Sequence, residues 1–146
     1  MRKRTQAREC ALTVLYQAEI CRRKISQASE IFWKESEEVD DVIKGFCDRI
    51  CVGVEKNLDA IDKKISQYAT NWQITRMAVM DRNILRLGVY ELVYADDIPP
   101  KVTINEAVEL AKKFGDLESS KFVNGILDKI HKTEVPNKSQ HDAQAG

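Results

Sequence analysis

Residues 75–95 read TRMAVMDRNILRLGVYELVYA, a segment with apolar side chains on almost every face of a helix. Such a helix must pack inside other helices, because it has no polar face to turn toward water. The segment therefore predicts the central helix of a helical protein. Thr75 is its expected N-terminal cap, and Pro99 and Pro100 follow its end, since proline disfavours helix in the preceding residue. Trp72, in the loop before it, is expected to fill the core.

The rest of the chain repeats the helical pattern. Apolar residues spaced three and four apart predict six further helices, over about residues 4–21, 27–34, 40–54, 57–68, 103–114 and 116–131. Thr103 and Glu106 fit a capping box at the start of the sixth helix, and Gly115 is expected to end it in the left-handed conformation. No segment shows the strict alternation of a strand. The prediction is an all-α protein of about seven helices joined by short loops.

The length and polarity of the chain predict one domain. The chain has 146 residues, 43% of them hydrophobic, which suits a single core. We expect the domain to span residues 1–132 and the polar residues 133–146 to form a disordered tail. No segment approaches the roughly 20 apolar residues that span a bilayer, and Glu9 and Glu19 interrupt the run that resembles a signal peptide. We therefore expect a soluble, cytoplasmic protein with no membrane contact.

Charge is balanced overall but not locally. The 23 basic and 23 acidic residues cancel, whereas the first 24 residues hold seven basic and only two acidic side chains. Arg4 and Arg8 are predicted to share an exposed strip of the first helix, together with Leu12. This basic end indicates an anion-binding surface, although an ordinary solvated end explains the same charges equally well.

The chain contains cysteines and histidines, but they do not occur in the motifs that metal sites and enzymes use. The four cysteines lack CxxC spacing, and both histidines, His131 and His141, lie near the end of the chain. The cysteines are expected to be buried as small hydrophobic residues. The sequence contains no GxxxxGK[ST], GxSxG or HExxH motif. We therefore expect a protein that is not an enzyme and that uses no metal or cofactor.

Two aromatic residues, Phe114 and Phe122, flank the turn GDLESS at residues 115–120. Basic side chains combined with exposed rings suit unpaired RNA, because bases stack on rings with about 1–3 kcal/mol per base. The pattern also permits a core role. Phe114 ends an apolar stripe, which favours burial, whereas Phe122 and its neighbour Val123 cannot both point inward.

Two polar residues near this turn have alternative explanations. Asn124 has the donor and acceptor needed to read a base edge, but an asparagine before Gly125 equally suits close helix packing. Glu118 is explained locally, because a negative charge is favourable at the start of a helix.

Three parts of the chain together resemble the NusB family of bacterial transcription antitermination factors. The segments are RTQARECALTVLYQ (4–17), DRNILRLGVYEL (81–92), and INEAVELAKKFG followed by SSKFVNGILDKI (104–115 and 119–130). The resemblance covers about residues 2–132 in order. It implies two roughly perpendicular three-helix bundles plus a further helix.

The resemblance also implies a function and a set of site residues. NusB-like proteins bind the boxA element of nascent RNA together with the ribosomal protein NusE, and they help RNA polymerase and other elongation factors read through terminators in ribosomal RNA operons. Asp81 occupies an acidic position that the family uses toward NusE. With Asn124 added for its base-reading chemistry, the predicted RNA-binding residues are Arg2, Lys3, Arg4, Arg8, Phe114, Glu118, Phe122 and Asn124.

Two other functions stay open at this point. The chain is also similar to the NusB-like domain attached to ribosomal RNA cytosine methyltransferases. A helical protein-interaction module without RNA binding is the third possibility. We expect the basic arm, formed by Arg2, Lys3, Arg4 and Arg8, and the GDLESS turn to act together on unpaired nucleotides. This expectation distinguishes the first function from the third.

Overall fold

A computed structural model describes residues 2–70 and 73–138, which form seven α-helices and one short 3-10 helix and contain no strand. The prediction of an all-α protein with seven helices is therefore confirmed for these ranges. Trp72, predicted to fill the core, lies outside the described residues. The helices are α1 (Lys3–Ile20), α2 (Ile25–Lys34), α3 (Asp41–Lys56), α4 (Leu58–Tyr68), α5 (Val79–Tyr94), α6 (Pro100–Phe114) and α7 (Ser119–Glu134), with the 3-10 helix at Ile74–Arg76.

The helices form two compact units, the first ending at Asn57 and the second beginning at Leu58. In the first unit α1, α2 and α3 all pack against one another. In the second unit α5, α6 and α7 pack together in the same way, and α4 lies against α5 and α7. The arrangement within the units is thus two three-helix bundles plus a further helix, as the family resemblance implied.

The helix predicted to be central, α5, is the most buried element of the second unit. Of its 16 residues, 11 are buried, including the polar residues Arg82, Asn83 and Glu91. Glu91 is completely buried and accepts a hydrogen bond from the Thr103 hydroxyl at 2.9 Å. Buried polar groups are tolerated when they are hydrogen-bonded, and Arg82, Asn83 and Glu91 all have partners inside the fold. Asp81, which is also buried in α5, keeps one carboxylate oxygen without a partner among the described residues.

The start of α5 corrects the sequence prediction. The helix begins at Val79, after an uncapped Ala78, and Thr75 lies exposed in the 3-10 helix, so the predicted Thr75 cap is wrong. The Arg82 guanidinium explains the difference, because it donates hydrogen bonds to the carbonyl oxygens of Ile74 and Met77 at 2.8 and 2.9 Å. These bonds hold the preceding chain in a separate turn.

The start of α6 is also earlier than the pattern indicated. Pro100 is its first residue, a favourable position because proline has no N–H to leave unsatisfied there. Thr103 is buried inside the helix and bonds to Glu91, so the predicted capping box of Thr103 and Glu106 is wrong.

Helix α7 is longer than predicted, and the segment after it makes contacts that the sequence did not predict. Helix α7 ends at Glu134, three residues beyond the expected end at His131. Lys138 then donates from Nζ to the carbonyl oxygens of Glu91 and Leu92, at 2.7 and 3.1 Å. A cation at these carbonyls is favourable because helices leave their last acceptors unsatisfied. The remaining tail residues lie outside the described part of the chain.

Two glycines in helices differ in what surrounds them. A Cβ added to Gly88 in α5 would lie 2.7 Å from Leu127 Cδ1, so glycine allows α7 to approach α5 closely. A Cβ added to Gly125 would meet nothing within 4 Å. The proposal that Asn124 and Gly125 serve helix packing is therefore wrong, and the exposed Asn124 is available for other contacts.

The variants Gly88→Ala and Gly125→Ala form a matched pair that tests this packing. Both gain helix propensity of up to about 1 kcal/mol, but only Gly88→Ala adds a methyl group to a filled core. We expect the unfolding free energy of Gly88→Ala to lie about 1–3 kcal/mol below that of Gly125→Ala, measured by urea unfolding. Equal stabilities would show that α5 and α7 are not tightly packed at this point.

Candidate nucleic-acid interface

The basic arm is attached to the first unit through Lys3. Its ammonium lies 2.9 Å from Asp40 Oδ2, while Oδ1 of the same carboxylate caps α3 by accepting the N–H groups of Val42 and Ile43 at 2.9 and 3.1 Å. The hydrogen bond from Lys3, together with these backbone bonds, lowers the pKa of Asp40. One carboxylate therefore fixes the starts of both α1 and α3.

Arginine side chains surround Phe46, a buried residue of α3. The guanidinium carbons of Arg4, Arg8 and Arg49 lie 4.5, 5.2 and 5.7 Å from the centre of its ring. Guanidinium groups stack favourably on aromatic faces and are more weakly hydrated than ammonium groups. Phe46 thus holds arginines from two helices in fixed positions.

This arrangement corrects the prediction that Arg4 and Arg8 share an exposed strip. Arg8 is only 3% exposed and Leu12 only 2%, whereas Arg4 is half-buried. The charge pattern did not reveal this, because the long apolar stem of arginine packs on a ring as readily as it extends into water. Arg2 and Lys3 remain exposed, whereas Arg8 is buried against Phe46.

The turn between α6 and α7, residues 115–118, is closed by its own hydrogen bonds. Asp116 Oδ1 accepts the N–H of Glu118 at 3.0 Å and the hydroxyl of Ser119 at 3.2 Å. The Ser119 oxygen in turn accepts the N–H of Asp116 at 3.0 Å. The short polar side chains of this α6–α7 turn therefore satisfy its backbone and fix its shape.

Gly115 is required in this turn for space rather than for a left-handed backbone. Its φ and ψ are −98° and −170°, so the predicted left-handed stop is wrong. A Cβ at this position would lie 2.4 Å from Ser119 Oγ and 2.8 Å from the carbonyl oxygen of Ala111. The chain folds back so tightly that only glycine fits.

Aromatic residues on either side of the turn differ in exposure. Phe114 is 39% exposed, contrary to the core position that its place in the apolar stripe favoured, and Lys113 Nζ lies 5.4 Å from its ring centre. Phe122 is half-buried and the adjacent Val123 is fully buried, which confirms that the two do not point inward equally. Glu118 is exposed like Asn124, so the surface combines rings with polar side chains.

Sequence reasoning missed one residue of this surface, Leu117, which is 94% exposed. The available signal was its position, because it stands between Asp116 and Glu118 and belongs to neither neighbouring apolar stripe. A leucine outside every helical period is either a chance surface residue or a contact residue.

Asp81, predicted to face NusE, lies in the first turn of α5 and is only 9% exposed. Burial raises the pKa of its carboxyl group, the neighbouring Ser119 hydroxyl opposes this, and the nearby charge of Asp116 adds to it. Its Oδ1 has no hydrogen-bond partner within the described ranges. Asp81 is thus connected to the α6–α7 turn through Ser119.

The cysteines offer no second site. Cys47 and Cys51 are buried and Cys10 is half-buried, but Cys21 is exposed at the end of α1, so the expectation of burial is wrong there. Burial raises the pKa of Cys10 to about 11, and a hydrogen bond with Cys47, together with burial, raises the pKa of Cys51, which keeps these two thiols protonated. Residues 2–70 and 73–138 contain no group of three His, Cys, Asp or Glu side chains suited to a metal, and none of their helices meets the length and apolarity needed for a membrane span.

Two helical bundles, a basic arm and a hydrogen-bonded turn beside one exposed ring define a protein whose surface chemistry is that of a nucleic-acid-binding adaptor. The NusB family model matches residues 5–132. The chain belongs to the NusB family.

Similar proteins support the assignment over nearly the whole chain. It is 46% identical to the transcription antitermination protein NusB of Thermodesulfovibrio yellowstonii, over 91% of this chain and 94% of that one. It is also 46% identical to the protein of the same name from Myxococcus xanthus, over 89% of this chain and 95% of that one. These names agree with the expectation that the chain is not an enzyme.

Solved structures show the same fold. T. maritima NusB superposes with a TM-score of 0.84 and 37% identity, covering 99% of this chain and 98% of that one. A chain from the crystal structure of antitermination factors NusB and NusE in complex with dsRNA gives a TM-score of 0.82 at 29% identity, covering 90% of this chain and 98% of that one.

The variant Asp81→Asn tests the burial of this carboxyl group. Because the folded-state pKa is raised, ionisation costs stability as pH rises from the ordinary aspartate value of about 4 through the raised value. We expect the unfolding free energy of Asp81→Asn minus that of the wild type to be larger at about pH 7 than at about pH 4, which means that the variant is relatively more stable at the higher pH. The other titrating groups are shared and cancel in this difference.

Urea unfolding at the two pH values supplies the measurement. A difference between variant and wild type that does not change with pH would mean that Asp81 is solvated rather than buried. The opposite sign would mean that its charged form is stabilised by the fold.

Proposed function

We propose that this chain is a transcription antitermination factor that binds boxA RNA of ribosomal RNA operons together with the ribosomal protein NusE. The observation that carries the proposal is the exposed ring of Phe114 beside Lys113, on a turn closed by its own hydrogen bonds. Family membership supports it, as does the solved complex of NusB and NusE with dsRNA. RNA polymerase and other elongation factors are indirect partners, and the chain acts in the cytoplasm.

The basic arm contributes the phosphate contacts. Arg2 and Lys3 are exposed and Arg4 is half-buried with its guanidinium against Phe46, so these three side chains present charge near the surface. Arg8 acts differently because it is buried, and we assign it to holding Phe46 and the layer beneath the arm. Phosphate contacts of this kind provide affinity that depends strongly on salt.

The α6–α7 turn contributes the base contacts. Phe114 and the half-buried Phe122 offer ring surface, and the amide of Asn124 has the groups needed for a base edge. Glu118 carries a charge that repels phosphate, so the sugar-phosphate backbone is expected to run away from this side chain while the bases face the rings. Exposed rings favour unpaired RNA, because the faces of paired bases are already covered by stacking.

Asp81 is the proposed contact to NusE, on the basis of the family resemblance. Its Oδ1 is buried, so a donor from the ribosomal protein would bind the small part of the residue that is exposed, 9% of its surface. The relatives are stand-alone antitermination proteins matched over 94% and 95% of their length, which favours this function over that of a methyltransferase domain.

The variant Arg4→Ala tests the phosphate contacts. Loss of one contact to single-stranded RNA is expected to weaken binding of a short boxA oligonucleotide and to reduce the slope of log K against log salt by about 0.7. Fluorescence anisotropy between about 50 and 200 mM salt gives both quantities. Arg4→Lys, which keeps the charge, should retain most of the slope.

Arg23→Ala is the matched control, because it removes the same charge from an exposed position beyond the other end of α1. If Arg4→Ala and Arg23→Ala reduce the slope equally, the arm has no specific role. A boxA duplex that binds as tightly as the single strand would contradict the proposed recognition of unpaired bases.

A further inference from the structure

Leu117, at the tip of the α6–α7 turn, has the most exposed large hydrophobic side chain in the described part of the chain. It is 94% exposed, and the next residue in this respect, Val52, is 64% exposed. A single exposed leucine needs no explanation by itself. The position of Leu117 in a rigid turn beside an exposed ring does call for one.

The turn holds this side chain outward. Asp116 on one side bonds to the N–H of Glu118 and to the hydroxyl of Ser119, which returns a bond to the N–H of Asp116. Gly115 leaves no room for the chain to tighten further. Leu117 therefore lies between two residues that fix the backbone, and a partner can bind it without first ordering the turn.

The surroundings indicate which partner fits. Phe114, three residues before Leu117, is 39% exposed and has Lys113 Nζ 5.4 Å from its ring centre. Lys121, four residues after Leu117, is also exposed. An exposed ring with cations on both sides of the turn is the combination that binds single-stranded nucleic acid, whereas an apolar patch for a protein would normally be depleted in lysine.

We propose that Leu117 is a base-contacting residue, which packs against the face of an unpaired base next to the base held by Phe114. This inference rests on the proposed RNA-binding function and adds a residue that the family resemblance did not supply. Leucine is suited to this role, since proteins insert apolar side chains such as leucine between neighbouring bases. The flanking acids Asp116 and Glu118 repel phosphate, which leaves bases as the part of the RNA that approaches the tip.

The test compares Leu117→Ala with the wild type in binding a single-stranded boxA oligonucleotide at fixed salt. We expect affinity to fall about fivefold, which corresponds to covering roughly half of a leucine side chain. The salt slope should not change, because no charge is lost. Leu117→Phe should bind at least as tightly as the wild type, since a ring restores and enlarges the contact.

Val52→Ala is the matched control, an exposed aliphatic residue truncated in the first unit, and it should leave RNA affinity unchanged. A second measurement uses oligonucleotides with 2-aminopurine at successive positions. The wild type should change the fluorescence of the base next to Leu117, and Leu117→Ala should abolish that change at this one position.

Equal RNA affinity of Leu117→Ala and the wild type would overturn the inference while leaving the proposed function intact. Loss of NusE binding with unchanged RNA affinity would also overturn it and assign the leucine to a protein contact. If the wild type itself fails to bind boxA RNA, the proposed function is wrong, and the role of Leu117 falls with it.

Discussion

The second unit depends on the burial of α5, whose side chains are too apolar to face water on any side. That burial requires a close approach to α7, which Gly88 permits at Leu127, and internal partners for the polar groups that α5 carries inside. The Thr103 hydroxyl donates a hydrogen bond to the Glu91 carboxylate, and Lys138 donates to carbonyl oxygens of the last turn of α5. At the other end of α5, Asp81 lies near the α6–α7 turn, where Ser119 and Asp116 affect its pKa. The packing that hides α5 therefore also supports the turn proposed to contact RNA.

In the first unit, the ring of Phe46 organises the packing as α5 does in the second. Phe46 is buried, yet its face is covered by guanidinium groups rather than only by aliphatic side chains. Arg8 is buried in this layer, and Lys3 is paired with the carboxylate that caps α3. The Arg4 guanidinium is held against the same ring, so the charge of this side chain is ordered before any RNA binds. Ordering in advance reduces the entropy that binding must overcome, which is a benefit for a surface built on long, flexible side chains.

The sequence was sufficient for the fold because periodic burial leaves a strong signal. The number of helices and the burial of α5 both follow from apolar spacing. The errors concern features that spacing does not encode. Thr103 and Gly115 were assigned by local rules, but tertiary contacts with Glu91 and Ser119 decide their roles. Phe114 continues an apolar stripe past the end of the core, so its exposure depends on packing alone.

The sequence indicated some features of the candidate site and missed others, for the same reason. Charge identified the arm but not the burial of Arg8, since the arginine stem suits either environment. The flanking phenylalanines located the turn but not the exposure of Leu117, which lies between the two segments that carry the family resemblance. The central claim is that the arm contacts phosphates of boxA RNA and that the α6–α7 turn contacts its bases.

Amide chemical shifts of the full chain, followed by NMR during titration with a single-stranded boxA oligonucleotide, test this claim most directly. The account predicts shifts both for residues of the arm and for residues of the turn. Shifts confined to one of the two regions would contradict it.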